Sequence, residues 1–151
     1  MKKHTIETKL GKLLIIQENN CISEIKIQED GVFYNDESEL LTKVKIQIKE
    51  YFNGKRKKFD FPIVLKGTDF QKKVWSEMLL IPFGKTISYG DLARNVNNKK
   101  AFRAVGSCCN KNRLLLVVPC HRVIAKNNSI GGFAHGTNMK KLLLKSEGVE
   151  V

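Results

Sequence analysis

A cysteine, a histidine and a distant glutamate carry the chemical possibilities of this 151-residue chain. Cys120 and His121 are neighbours in Val117-Val118-Pro119-Cys120-His121-Arg122-Val123, and Glu147 stands near the end of the sequence. Cysteine attacks as its thiolate, a nearby histidine can take the thiol proton, and a carboxylate can orient the histidine. Side chains of adjacent residues rarely touch, so proton transfer from Cys120 to His121 calls for a bridging water. A cysteine following Leu114-Leu115-Leu116-Val117-Val118 could also be one more core residue, because free cysteine is among the most buried residue types. That reading suits Cys21. It suits Cys120 poorly, since His121 and Arg122 are costly to bury unpaired. The residue types leave three classes open: a thiol hydrolase, a thiol that accepts an alkyl group, and a DNA-binding protein with an inert cysteine. No distinct oxyanion-hole signature supports the first.

Charge favours the two classes linked to DNA. The net charge is +12. Residues 1–65 hold 12 Lys and Arg against 10 Asp and Glu, whereas residues 66–151 hold 15 against 5. The positive field therefore sits with the half that carries Cys120, and a one-sided basic surface is the electrostatic footprint of a polyanion binder. The alternative is a lysine-rich surface that only aids solubility. Four cysteines without a framework spacing fit free thiols in a reducing compartment. The N-terminal apolar run Leu13-Leu14-Ile15-Ile16 is too short for a secretory signal, and no stretch approaches the roughly 20 apolar residues of a membrane span. The expectation is a cytoplasmic protein without a membrane partner.

The elements that must position these residues follow from periodicity. Residues 4–34 alternate in short apolar runs, with Asn19-Asn20 before Cys21 to Ile27, which reads as a hairpin or meander. From Glu37 the spacing of Leu40, Leu41, Val44, Ile48, Tyr51 and Phe52 is helical, and Asn53-Gly54 supplies the stop. Lys55-Arg56-Lys57-Lys58 is a solvated turn, and His4 has no partner cluster that would make it a metal ligand. Gly67-Thr68-Asp69 opens a helix with Phe70, Val74, Trp75, Met78 and Leu79 on one face, ended by Pro82 and Gly84. Trp75 reads as a core anchor. Ser88 to Asp91 has the spacing of a capping box and launches a short helix through Leu92, Ala93 and Val96. After Asn97-Asn98 a second helix runs from about Lys99 to Cys109, with Ala101, Ala104, Val105 and Cys108 on one side and Lys99, Arg103 and Lys111 toward solvent. The pair forms a helix-turn-helix pattern. Leu114 to Val118 reads as a strand leading into Pro119, Gly131-Gly132 as a turn that allows close backbone approach, and Thr137 as the cap of a last helix bearing Met139, Leu142 and Leu143. Glu147 at its end opposes the helix dipole, a penalty that calls for a partner such as histidine.

An ordered set of motifs then resembles one family. Gly67-Thr68-x-Phe70-Gln71-x-x-Val74-Trp75, Ile81-Pro82-Phe83-Gly84-Lys85-Thr86-x-Ser88-Tyr89-Gly90-x-Leu92-Ala93, Arg103-Ala104-Val105-Gly106, Pro119-Cys120-His121-Arg122-Val123, Gly131-Gly132-Phe133 and Glu147-Gly148 are similar to the methylated-DNA–protein-cysteine methyltransferases, the O6-alkylguanine-DNA alkyltransferase family. Tyr51-Phe52-x-Gly54-Lys55 and Phe59-Asp60-Phe61-Pro62 extend the likeness more loosely into the first half. The resemblance implies an α+β chain, with an RNase H-like mixed sheet-and-helix scaffold in residues 1–65 and a helical, winged-helix-like DNA-binding and active-site domain in residues 66–151. It implies direct reversal of damage in DNA: the alkyl group of O6-methylguanine moves irreversibly to Cys120, once per molecule. His121 is then the water-linked base, Glu147 its orienting carboxylate and Asn112 the brace of the active-site turn. Tyr89 meets the flipped guanine and crowds the adjoining phosphate, and Arg103 fills the gap in the base stack. Ala104 and Gly106 permit close approach in the minor groove. The carbonyls of Cys120 and Val123 accept from the guanine amine, and Phe133 and Ala134 line the substrate pocket. No cofactor and no metal are implied, and the protein acts as a monomer on double-stranded DNA. Arg113 and Leu115 stand where many members carry proline, Phe133 replaces a common tyrosine and Ala134 a common serine. These departures bear on bulky alkyl groups more than on methyl. Two other readings compete: a sensor that binds and flips alkylated bases without chemistry, against which the retained Cys120 argues, and a DNA-binding regulator.

Overall fold

The computed structural model describes residues 1–98, 100–126 and 130–150. Near its start, alternating side chains and two tight turns produce an antiparallel meander: β1 (Lys2–Thr8), β2 (Gly11–Glu18) and β3 (Cys21–Ile27), in that order across the sheet. Thr8 pairs with Gly11 across the first turn, and the Thr8 hydroxyl accepts from Leu10 N and donates to Gly11 O. Glu18 pairs with Cys21 across the second turn, where Asn19 adopts φ 53°, a left-handed conformation asparagine tolerates. The central strand β2 is buried from Leu13 to Gln17, which explains its continuous apolar run; only strands covered on both faces read that way. The meander expected from sequence is therefore present.

Helix α1 (Glu39–Phe52) begins at Ser38, whose side chain accepts from Leu41 N, and buries Leu41, Val44, Gln47, Ile48 and Tyr51. These belong to a first compact unit, Met1–Lys66 together with Arg113–Leu115. Leu114 joins it through a single bridge to Ile25, with Ile25 N donating to Arg113 O and Leu115 N to Ile25 O. The remainder, Gly67–Asn112 and Leu116–Val151, forms a second unit.

In the second unit, α2 (Asp69–Met78) starts with a reciprocal capping box between Thr68 and Gln71 and buries Val74, Trp75 and Met78. Leu79 is exposed and Phe70 only half-buried, so the apolar face is narrower than the sequence spacing implies. A side chain at Gly67 would lie 2.7 Å from the Trp75 ring, so the residue before the cap must be glycine. Trp75 is the expected anchor: its ring nitrogen donates to Cys108 O at 2.9 Å, tying α2 to α4 (Phe102–Asn110). The helix-turn-helix consists of α3 (Tyr89–Asn95) and α4, with Asn97 at φ 61° in the turn. Ser88 accepts from Asp91 N, but the Asp91 carboxylate pairs with Arg94, so only the serine half of the expected box forms. Lys99, the expected start of the second helix, lies outside the described residues, and α4 begins at Phe102. Ala101, Val105, Cys108 and Cys109 are buried, whereas Ala104 is exposed with Phe102 and Arg103.

Two other expectations are corrected. Leu114 to Val118 is not a strand: beyond the bridge at Leu114 the chain turns, and Leu116 takes φ 74°. Leu114, Leu115, Leu116 and Val118 are all buried, so the apolar run reflects a turn enclosed by protein, for which hydrophobicity gives no period. The strand lies after the cysteine instead, where β5 (Val123–Ile124) pairs in parallel with β4 (Ile87–Ser88). Thr137 is the first residue of α5 (Thr137–Ser146) and not its cap; Gly136, at φ 95°, holds the cap position. Among the described residues no helix is long and apolar enough to cross a membrane.

Candidate active site

Cys120 opens a single 3-10 turn, Cys120–Arg122, immediately after Pro119. Its backbone is fixed by Cys120 N donating to Val118 O at 2.8 Å and Arg122 N to Pro119 O at 2.9 Å. Asn112 braces this turn: its Nδ2 donates to Val118 O at 2.8 Å and lies 3.3 Å from the Cys120 sulfur. The turn directs Cys120, His121 and Arg122 all inward, with 6 %, 0 % and 7 % of their surfaces exposed. Burial of the two polar residues, which seemed too costly from sequence, is made possible by one carboxylate.

That carboxylate is Glu147, the C-cap of α5. It accepts from His121 Nε2 at 2.6 Å, from Arg122 Nε at 2.8 Å and Nη2 at 3.0 Å, and from Gly84 N at 3.2 Å. The guanidinium grips both carboxylate oxygens as a fork, a geometry lysine cannot reproduce, while Arg122 Nη1 donates to Ile81 O at 2.6 Å. The helix-end penalty anticipated for Glu147 is thus offset by four hydrogen bonds from three residues. Among the described residues His121 Nδ1 is buried without a hydrogen-bond partner. With Nε2 donating to the carboxylate, the neutral ring presents its lone pair at Nδ1, the arrangement of a general base. Burial holds the imidazole below its usual pKa despite Glu147, so the ring is neutral and able to take a proton. Burial also pushes the Cys120 thiol up, opposed in turn by the Asn112 hydrogen bond and the Lys140 charge. The resting pair is a thiol and a neutral imidazole.

Lys140, a residue that composition would place in solvent, has a fully buried side chain. Its ammonium donates to Val123 O at 2.7 Å and Gly132 O at 3.0 Å and lies 5.7 Å from the centroid of the Tyr89 ring. Burial pulls its pKa down, and the neighbouring Cys109 and Cys120 thiols act against this. Only its place one turn before Leu144 on α5 marks it in sequence, since helical spacing puts it on the inward face. For Arg122, the residue's cost of burial and its place in the Pro119–Val123 motif mark it in sequence, but not its partner Glu147. Tyr89, half-buried at the start of α3, directs its hydroxyl at Gly132 O, 3.4 Å away. Burial, then the Cys109 and Cys120 thiols, raise its pKa to about 12, so it keeps its proton at neutral pH and can donate it. A side chain at Gly131, which adopts φ 71°, would press on Tyr89 at 3.3 Å. Phe133 is half-buried and Ala134 exposed beside it, while Arg103, Ala104 and Gly106 lie on α4 with the arginine and alanine in solvent. No group of His, Cys, Asp and Glu among the described residues could hold a metal.

The family profile described as 6-O-methylguanine DNA methyltransferase, DNA binding domain, matches residues 69–149, and that of the ribonuclease-like domain matches residues 1–65. The chain belongs to the 6-O-methylguanine DNA methyltransferase family. It is 42 % identical to the constitutive methylated-DNA–protein-cysteine methyltransferase of Bacillus subtilis, over 96 % of this chain and 94 % of that protein. The methyltransferase of the same name from Methanosarcina acetivorans is 43 % identical over 94 % and 95 % of the two chains. Mycobacterium tuberculosis OGT in complex with DNA superposes with a TM-score of 0.89 at 32 % identity, covering 97 % of this chain and 92 % of that one. The α+β fold, with an N-terminal ribonuclease-like domain and a helical C-terminal domain, is that of the family.

Proposed function

We propose that Cys120 is the acceptor in an O6-methylguanine-DNA methyltransferase that repairs DNA by direct reversal. The observation that carries this is a single buried constellation: Asn112 on the Cys120 sulfur, and beside it His121 held by the Glu147 carboxylate that Arg122 grips. His121 takes the thiol proton through one water, and Glu147 stabilises the imidazolium that results. The sulfur attacks the O6-methyl carbon, an S–C bond forms as the O6–C bond breaks, and the electron pair leaves with the guanine oxygen. Tyr89, half-buried at the start of α3, supplies a hydrogen bond or proton to the departing base. The thioether has no easy route back to thiolate, so each molecule acts once.

The methyl carbon of a paired guanine is inaccessible to this buried sulfur, so the nucleotide must be extruded, at a cost of a few kcal/mol. In our reading α4 lies in the minor groove, Arg103 fills the vacated place in the stack, and the small Ala104 and Gly106 permit close approach. Val123 O already accepts from Lys140; its second lone pair, with Cys120 O, receives the guanine amine. Phe133 and Ala134 complete the pocket wall. Residues 1–65 serve as scaffold and residues 66–151 bind DNA and react. The protein works as a monomer on duplex DNA, and its four free cysteines fit the cytoplasm.

Mass analysis of peptides after incubation with duplex DNA containing O6-methylguanine tests the reading. One added methyl on Cys120, absent in Cys120→Ala, is the expected result. Tight binding of the lesion with no modified peptide would overturn it in favour of a sensor.

A further inference from the structure

Phe102 is the residue before Arg103 on α4, and the functional reading above leaves it unused. It is 52 % exposed. Among the described residues its ring stacks on no other aromatic ring and covers no cation. A lone exposed apolar residue needs no explanation in general, but the placement of this one is specific. Phe102, Arg103 and Ala104 are exposed in succession before Val105 turns into the core. Successive helix positions are about 100° apart, so the phenyl ring stands on one flank of the arginine and the alanine methyl on the other. One flank can approach a surface closely, and the other offers a flat ring. The charge of residues 66–151, with 15 Lys and Arg against 5 Asp and Glu, and the match of residues 69–149 to a DNA-binding domain make duplex DNA the partner of this face.

Extruding a nucleotide leaves base faces unstacked on both sides of the gap. One guanidinium plane covers part of that surface, and an adjacent aromatic ring covers more. Proteins that bind the minor groove use phenylalanine in this way, as an apolar wedge at a base step, and any base can stack on such a ring because every base has a π-face. We propose that Phe102 is a second DNA-contacting wedge, its ring stacked on a base at the edge of the gap that Arg103 fills. The inference rests on the repair reading and on α4 as the helix that enters DNA. It makes Phe102 a positioning residue, one that holds the duplex open and touches neither sulfur nor guanine.

The test uses the full-length protein and a duplex carrying one O6-methylguanine. Phe102→Ala should weaken binding to this duplex by about tenfold and slow methyl transfer from it more than transfer from the free base O6-methylguanine. Because no charge is lost, the slope of log affinity against log salt should stay that of the wild type. Arg103→Ala should lower affinity and also flatten that slope. Phe102→Trp should keep wild-type affinity, and its added emission should be quenched on binding, while Trp75 stays buried with its nitrogen bonded to Cys108 O. Wild-type affinity in Phe102→Ala, an equal loss from duplex and free base, or an unquenched Phe102→Trp would each overturn the wedge while leaving the repair reading intact. Failure of the wild-type protein to methylate Cys120 would overturn the repair reading and the wedge with it.

Discussion

The Cys120 thiol, the proposed acceptor, is buried and protonated at rest, so its activation in that role depends on charged neighbours. Two of them bear on it directly. The Glu147–Arg122 fork makes His121 a usable base, and Lys140 places a cation where Cys120 and Cys109 can feel it. The sign of the Lys140 effect is fixed: its charge lowers a thiol pKa that burial has raised. Lys140→Met keeps the volume and removes the charge, so the Cys120 thiol should titrate at higher pH and react more slowly with iodoacetamide at neutral pH. Methyl transfer should slow in parallel, while binding to undamaged duplex changes little. A thiol titration identical to wild type would remove Lys140 from the electrostatics of Cys120 and leave it only its hydrogen bonds to Val123 O and Gly132 O.

At the scale of elements, α4 carries a glycine whose cost the proposed contact with DNA would account for. Gly106 lies inside the helix, where glycine costs about 1 kcal/mol relative to alanine, and a side chain there would meet nothing within 4 Å. Among the described residues nothing requires a glycine there. Gly106→Ala should therefore stabilise the free protein by about 0.5–1 kcal/mol in thermal unfolding and at the same time weaken methyl transfer from duplex DNA severalfold. Gain of stability with no loss on duplex would show that DNA does not approach this face. The same helix shows what sequence can disclose. Its inward residues Val105 and Cys108 and the turn at Asn97 follow from local pattern, as do the opening of α2 at Thr68 and the alternation in β1 to β3; the Ser38 cap of α1 does not. Local signals failed where burial depended on distant residues. Leu114 to Val118 has the composition of a strand, yet its one bridge is to Ile25, which no local pattern could announce. Lys140 and Arg122 carry charge, and their burial makes sense only beside carbonyls and a carboxylate contributed from elsewhere in the chain. Cys120, His121 and Glu147 could be singled out as candidates by residue type, and the structure joins His121 to Glu147; the grip of Arg122 on Glu147 could not, because it is a matter of geometry.

For the whole molecule, the question is how a protein with one reaction to give finds a rare base. Its charge is unevenly divided: residues 66–151 hold ten more cations than anions, while residues 1–65 are nearly balanced, with 12 against 10. Only the half matched to a DNA-binding domain carries the field, so attraction to the phosphate backbone orients the molecule as well as concentrating it. Each phosphate neutralised releases counterions, and log affinity falls with log salt at a slope of about −0.9 per contact. A basic surface of this size should make roughly five such contacts, giving a slope near −4 to −5 and a loss of about 500-fold in duplex affinity between 50 and 200 mM salt. Transfer from the uncharged free base draws nothing from this field and should keep its rate across the same range. The difference separates search from chemistry: salt should change how much DNA is bound, and once the duplex is saturated the rate constant for methylation of Cys120 should be constant. Single-turnover transfer measured with DNA in excess at both salt concentrations checks this, and a saturated rate that falls with salt would mean that the charge acts on extrusion or chemistry and not on search alone.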